Sequence, residues 1–185
     1  ANKLLVLIDG RSVYDPLFAG VFWEARDVML EDVDRIEVVR GPGATLWGSN
    51  AVNGVINIIT KNSKDTQGNM IAAGAGTYDN ASGYMRHGGK IGEDTTYRAY
   101  INHYKQDHSE TAANVNASDE WFMSRAGQRT DGKIDEDSSF SVISDVYQGE
   151  REIPFMAAPR TTGNVVDLDN HHMYGGNIIG KYSQK

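Results

Sequence analysis

The sequence predicts two successive β-rich parts. A mixed α+β front with short helices comes first, and an antiparallel β-meander of the transmembrane-barrel kind follows. Three observations lead there. Arg35–Lys61, RIEVVRGPGATLWGSNAVNGVINIITK, reads as strand, Gly-rich turn, short helical turn, strand. Behind residue 67 no helical periodicity of any length appears, and strand-like runs follow one another. The connections between those runs alternate short and long from the second strand on, as in barrels with tight turns on one side and long loops on the other.

In chain order, Leu4–Ile8 is a buried-type strand, turned by Asp9-Gly10, and Arg11–Tyr14 resumes an extended course. Asp15–Trp23 (DPLFAGVFW) is a loop carrying Phe18, Phe22 and Trp23. These aromatics either fill a small core or stand on a loop offered to a ligand. Glu24–Asp34 has no Gly or Pro, and Val28, Met29 and Val33 fall near helical spacing, so a short helix is expected there. Ile36–Val39 is a half-buried strand. Gly41-Pro42-Gly43 stops it, because proline cannot donate to a ladder and glycine admits positive φ. Ala44–Ala51 allows one helical turn, Asn53-Gly54 is a second turn signal, and Val55–Thr60 is an apolar run broken only by Asn57. Such a run suits a strand covered on both faces.

Asn62–Gln67 is polar and reads as a linker. The strand-like runs behind it are Gly68–Tyr78, Gly83–Ile91, Thr96–Lys105, Glu120–Thr130, Ser138–Gln148 and His172–Tyr182. They approach the ~9–11 residues with which a tilted strand crosses a bilayer. Alternation is only modest, and Ile143 falls out of the pattern. Tyr97, Ala99 and Ile101 oppose Arg98 and Asn102; Phe140, Val142 and Val146 oppose Ser141 and Asp145; Tyr174, Ile178 and Tyr182 oppose Asn177 and Lys181. Gly92–Thr95 and Asp131–Asp137 are compact connections, Asp107–Asp119 and Gly149–His171 are long, and Asp79–Ser82 is an unusually short first one. Tyr97, Tyr100, Tyr104, Trp121, Phe122 and Tyr147 are candidates for aromatic girdles at the membrane interfaces.

The front part carries a resemblance. IEVVRGPGATLWGSNAVNGVINIITK, with LLVLIDGRSVY upstream, resembles the second half of the plug domain of TonB-dependent outer-membrane receptors. Arg40-Gly41-Pro42, Trp47-Gly48 (usually Tyr-Gly in the family), Ala51 and Gly54-Val55-Ile56-Asn57-Ile58-Ile59-Thr60 fall in the family's order and spacing. The resemblance runs from Leu4 to Lys61. It implies a plug fragment over residues 1–61, a linker at 62–67 and the first strands of a barrel of about 22 strands over 68–185. It implies an internal piece of a longer receptor, whose signal, energy-coupling segment and first plug strands precede Leu4. The open edge at Leu4–Ile8 and the two outer edges left by the barrel strands then invite self-association.

The same resemblance implies function. A scarce nutrient complex, such as an iron siderophore or a corrinoid, binds against the plug apex, and an inner-membrane energy-transducing protein pulls the plug aside. The apical candidates are Phe18, Phe22, Trp23, Trp47, Gly48 and Ser49. Glu37 and Arg40 are candidates for a latch to the barrel wall, and Gly41, Pro42, Gly43 and Gly54 for the motif's turns. The location implied is a Gram-negative outer membrane. The alternative is a soluble α+β binding module with no transport role, supported by the acidic composition and by the lack of a signal peptide at Ala1-Asn2-Lys3.

Composition removes other classes. The 185 residues carry a net charge of -7 and no cysteine. A phosphate-tracking surface needs a basic stripe, so no nucleic-acid partner is expected. Disulfides, thiolate metal sites and cysteine nucleophiles are excluded together. Gly43–Ser49 has phosphate-loop glycine spacing but lacks the lysine that reaches the phosphates. No nucleophile, base and orienter assemble, so no enzyme and no cofactor are expected. Asp167-Leu168-Asp169-Asn170 lacks the remaining calcium ligands. His171-His172 point to opposite faces of a strand. His87, His103 and His108 have no metal spacing; a copper or zinc role would need groups that the fold brings together, and no metal is expected.

Overall fold

The structure is a computed structural model, which describes residues 4–15, 20–48, 50–77, 80–110, 117, 119–152 and 171–185. Two compact units divide the chain, Ala1–Thr66 and Gln67–Lys185.

The first unit is built on a mixed sheet. Strand β1 (Leu4–Ile8) lies between β2 (Arg11–Ser12) and β4 (Gly54–Thr60), and β3 (Val33–Arg40) flanks β4, giving the order β2-β1-β4-β3. β1 and β4 run parallel from Leu4↔Gly54 to Ile8↔Ile58, while β3 and β4 are antiparallel. β4 is buried or half-buried along its whole length, as a continuous apolar run covered on both faces requires. Leu5, Leu7, Ala51 and Val55 form the buried cluster, and Val6 and Val13 are buried as well. β1 is therefore not the open edge expected of it. β4 covers its whole length on one side, and on the other β2 pairs with Leu7 and Ile8. Among the described residues, β2 and β3 pair on one side only.

The helix expected over Glu24–Asp34 does not form. Two 3₁₀ turns, Trp23–Ala25 and Leu30–Asp32, take its place, and β3 starts at Val33. Val33 pairs with Thr60 and the Lys61 amide donates to the Asp32 carbonyl at 2.8 Å, so sheet partners capture the segment's end. Tertiary pairing outweighs a weak local propensity over so few residues. The helical turn expected within Ala44–Ala51 is present as α1 (Ala44–Trp47). Ser63–Thr66 closes the unit as a 3₁₀ turn with Ser63 and Thr66 buried.

The second unit is a six-stranded antiparallel meander in strict chain order: β5 (Gly68–Gly74), β6 (Ala81–Ile91), β7 (Thr95–Gln106), β8 (Trp121–Lys133), β9 (Ser138–Arg151) and β10 (His171–Gln184). Every expected run is a strand. β5 is shorter than read, because its ladder stops where Gly74 meets Ser82, so the connection to β6 spans 75–80 and is not unusually short. No helix among the described residues is long and apolar enough to cross a membrane, which says nothing about strands.

Register sorts the side chains onto two faces, because paired residues of antiparallel strands share a face. One face carries Arg86, Arg98, Asn102, Arg125, Arg129, Asp131, Asp145 and Asn177. The other carries Ile71, Met85, Ile101, Val146 and Ile178, all exposed. The alternation read from Tyr97, Phe140 and Tyr174 onward is thus observed. The girdle candidates divide. Tyr97 and Phe122 lie on the apolar face, but Tyr100, Tyr104, Trp121 and Tyr147 lie on the charged one. The two sets therefore cannot form one girdle on a single face, and the register decides this where residue type does not.

Four cross-strand pairs place an aromatic ring over a glycine: Tyr97 over Gly89, Tyr100 over Gly127, Phe140 over Gly132 and Tyr147 over Gly175. A Cβ added at Gly127 would lie 2.7 Å from the Tyr100 ring, and one at Gly175 would lie 2.6 Å from the Tyr147 hydroxyl. Rings fill the space that these glycines leave, covering backbone that would otherwise pack poorly.

Candidate functional site

The glycine-punctuated loop 41–53 leaves one end of the first sheet, between Arg40 and Gly54. It closes on itself. The Gly43 amide donates to the Ala51 carbonyl at 2.8 Å, the Leu46 and Trp47 amides donate to the Gly43 carbonyl, and the Ala51 amide donates to the Gly48 carbonyl. Ala51 and Gly43 are buried beneath the turn, while Pro42, Leu46, Trp47 and Gly48 are exposed. Gly54 has φ of +149°, and a Cβ there would lie 2.7 Å from the Val39 carbonyl, so only glycine fits where the loop rejoins the sheet. Gly41, at φ +89°, makes the turn out of β3.

Val13–Asp15 and Gly20 reach the same end of the sheet. β2 runs antiparallel to β1, the Val13 amide donates to the Val6 carbonyl, and the chain then passes on toward the Leu4 end. Asp15 and Gly20 bridge there, donating at 2.7 and 3.2 Å. Phe22 and Trp23 follow and are both exposed. Phe18 and Ser49 lie outside the described residues, as does Asp167–Asn170. The fold thus carries the loops of Trp47 and of Phe22 to one end, and it gives Phe22, Trp23 and Trp47 accessible ring surface.

Glu37 and Arg40 differ in their surroundings. Glu37 stands opposite Asn57, whose side-chain amide donates to its Oε2 at 3.0 Å, and the Arg35 Nε donates to Oε1 at 2.8 Å. These hydrogen bonds, from Arg35 first and Asn57 second, hold the Glu37 carboxyl below its ordinary range. Reciprocally, Glu37 and then Asp34 raise the Arg35 guanidinium. Asn57, the one polar break in the apolar run, therefore has a local role. Arg40 ends β3, exposed, opposite Gly54.

On the charged face of the meander, Arg125 Nη1 donates to Asp145 Oδ1 and the Asn177 amide donates to Asp145 Oδ2, both at 2.5 Å, linking β8, β9 and β10. The Arg125 guanidinium also stacks 4.9 Å from the Tyr147 ring centroid. Arg129 Nε donates to Asp131 Oδ2 at 2.8 Å. The sequence puts Asn177 and Asp145 on the polar side of their strands but does not show that they meet, since pairing across strands is set by register, not by spacing. His171 and His172 pair with Arg151 and Glu150 in β10, on opposite faces as expected.

Residues 1–55 match the family described as TonB-dependent Receptor Plug Domain. The chain is 41% identical over 93 residues to the vitamin B12 transporter BtuB of Vibrio cholerae, covering 50% of this chain and 15% of that protein. It is 28% identical over 199 residues to the ferric enterobactin receptor of Pseudomonas aeruginosa, covering 96% of this chain.

The chain carries a TonB-dependent receptor plug domain over residues 1–55.

It spans 26% of the length of that enterobactin receptor, so it corresponds to a part of such a protein. The siderophore receptor PirA from Pseudomonas aeruginosa superposes with a TM-score of 0.65 at 21% identity, over 99% of this chain and 30% of that one. The fold, a mixed plug-type sheet followed by the antiparallel meander, is that of the TonB-dependent receptors.

Proposed function

We propose that the chain is part of an outer-membrane, energy-coupled receptor that takes up a scarce nutrient complex, of the ferric siderophore or corrinoid class. The observation that carries this is the meander behind the plug-type unit, with one exposed apolar face and one face of paired arginines and carboxylates. A soluble sheet gains nothing from exposing Ile71, Met85, Ile101, Val146 and Ile178 together on one face, whereas lipid accepts them. The role is binding coupled to a plug with two arrangements, driven by an inner-membrane energy-transducing partner, and no bond chemistry is assigned.

Phe18, Phe22, Trp23, Trp47, Gly48 and Ser49 are proposed as the apex that the ligand meets, and Arg40 as a latch to the wall. For Glu37 the same role competes with its bonds to Arg35 and Asn57. Residues 1–61, 62–67 and 68–185 are proposed as plug part, linker and first barrel strands. Ligand binding and uptake by the full receptor with Trp47→Ala and Phe22→Ala test the apex; unchanged affinity in both variants removes that assignment. The isolated chain is further proposed to self-associate through β2, β3, β5 and β10, each paired on one side only among the described residues. A monodisperse monomer in light scattering contradicts this.

A further inference from the structure

At the end of the meander opposite its tight turns, the register of β7 and β8 closes at Gln106↔Trp121. One step farther, Asp107 and Glu120 face each other across the two strands. The β8–β9 register closes at Trp121↔Arg151, and the Glu152 amide donates to the Glu120 carbonyl at 2.9 Å, which puts Glu152 next in the same row. Three acidic residues thus follow one another at three adjacent strand ends, and ligand atoms of Asp107 and Glu120 lie within 4.8 Å of each other. Like charges directly opposite one another destabilise a sheet. A row of this kind calls for a cation.

His108 supplies what a solvated acidic row would lack. Its Nδ1 lies 2.8 Å from Asp107 Oδ1, and one ligand atom each from Asp107, His108 and Glu120 lies within 4.8 Å of the other two. The backbone is held to present them. Ser109 donates to Asp119 through its amide at 2.7 Å and its hydroxyl at 2.6 Å, which buckles the chain on either side of His108 and Glu120. From the preceding connection, Asn80 Nδ2 approaches Asp107 Oδ2 at 3.4 Å. All three donor residues are half-buried.

We propose that Asp107, His108 and Glu120 form a binding site for a first-row divalent transition metal of the Zn²⁺ class. An imidazole beside two carboxylates suits such an ion; Ca²⁺ and Mg²⁺ take oxygen ligands alone. Water completes the coordination. The ion cross-links the outgoing ends of β7 and β8 at the root of the connection between them. It cancels the repulsion along the acidic row and fixes where that connection starts. Nothing in the spacing of the sequence shows the site, because thirteen positions separate Asp107 from Glu120 and only the ladder unites them.

The test uses the full receptor carrying this chain, purified in detergent and stripped of metal. Zn²⁺ is titrated calorimetrically, and Co²⁺ serves as a visible-absorption probe. The intact protein is expected to bind Zn²⁺ and to develop Co²⁺ ligand-field bands, with both lost in His108→Ala and weakened in Glu120→Gln. Titrations indistinguishable between the intact protein and His108→Ala overturn the proposal, as does Ca²⁺ uptake that is indifferent to His108. Should the alanine variant fail to fold, carbethoxylation of His108 in the intact protein decides. Slowing by Zn²⁺ supports the site, and an unchanged rate overturns it.

Discussion

Asp9 and Thr60, 51 residues apart, are joined twice: the Thr60 amide donates to Asp9 Oδ1 at 3.0 Å and the Thr60 hydroxyl donates to Asp9 Oδ2 at 2.8 Å. Both side chains are buried. Asp9 sits at φ +49° in the turn after β1, a conformation that Asp tolerates better than most residues. The pair closes the sheet end opposite the glycine-rich loop. Removing one partner strands the other. Asp9→Ala is expected to destabilise the first unit by about 1–3 kcal/mol, with Asp9→Asn losing less because it keeps an acceptor and tolerates the same φ. Amide exchange along β4 measures this; equal protection in Asp9→Ala would contradict it.

The Glu37 carboxyl, held low by Arg35 and Asn57, gives a pH signature. A depressed folded-state pKa stabilises the folded chain above the ordinary value of 4.5, and this contribution fades as pH falls through the lower folded value. Glu37→Gln should therefore cost stability at neutral pH, with the gap to the parent closing below pH 4.5. Thermal melts of both proteins across pH read the gap. Added salt should narrow it, because the pair with Arg35 is exposed. A gap independent of pH would sink the assignment.

Arg125 and Asp145 are a buried pair, with side-chain exposures of 5% and 12%. Asp145→Ala leaves the guanidinium without its carboxylate and strips Asn177 of its acceptor. A loss of about 3–5 kcal/mol is expected, with much less when Arg125→Met is combined with Asp145→Leu. Urea unfolding of the receptor in lipid vesicles compares the single and double variants.

Gly127 lies under the Tyr100 ring. Gly127→Val should force that ring off its position at a cost of about 1–3 kcal/mol, and Tyr100→Ala in the same background should recover part of it. The heat-modifiable mobility of the receptor on gels follows the effect. Additive losses in the two variants would mean that ring and glycine do not share the space.

The strands were legible because their pattern is local. Tyr97, Ala99 and Ile101 against Arg98 and Asn102 announce a two-residue period, and β7 follows. The motif around Gly41–Gly54 was legible for the same reason, since turn residues stand where φ demands them. The helix expected over Glu24–Asp34 rests on the absence of breakers and on three apolar residues near helical spacing, which permit a helix without securing it, and Val33 pairs with Thr60 instead. Trp121 and Tyr147 were read by residue type although their neighbours already fixed their face. Asp107, His108 and Glu120 were illegible in principle, because a ladder register unites residues that no spacing rule links. Of the apical candidates, Trp47 owed its place to the motif, while Phe22 and Trp23 owed theirs only to lying in a loop.

The two ends of the meander are built unequally. At one, Gly92 at φ +68° turns β6 into β7, and the Ile134 amide reaches the Ser138 carbonyl to turn β8 into β9. At the other, 107–120 and 152–170 are long. Strand alignment is thus dictated from one rim, like teeth rooted in the spine of a comb. Insertions at the opposite rim can lengthen those connections without shifting a single rung of the ladder.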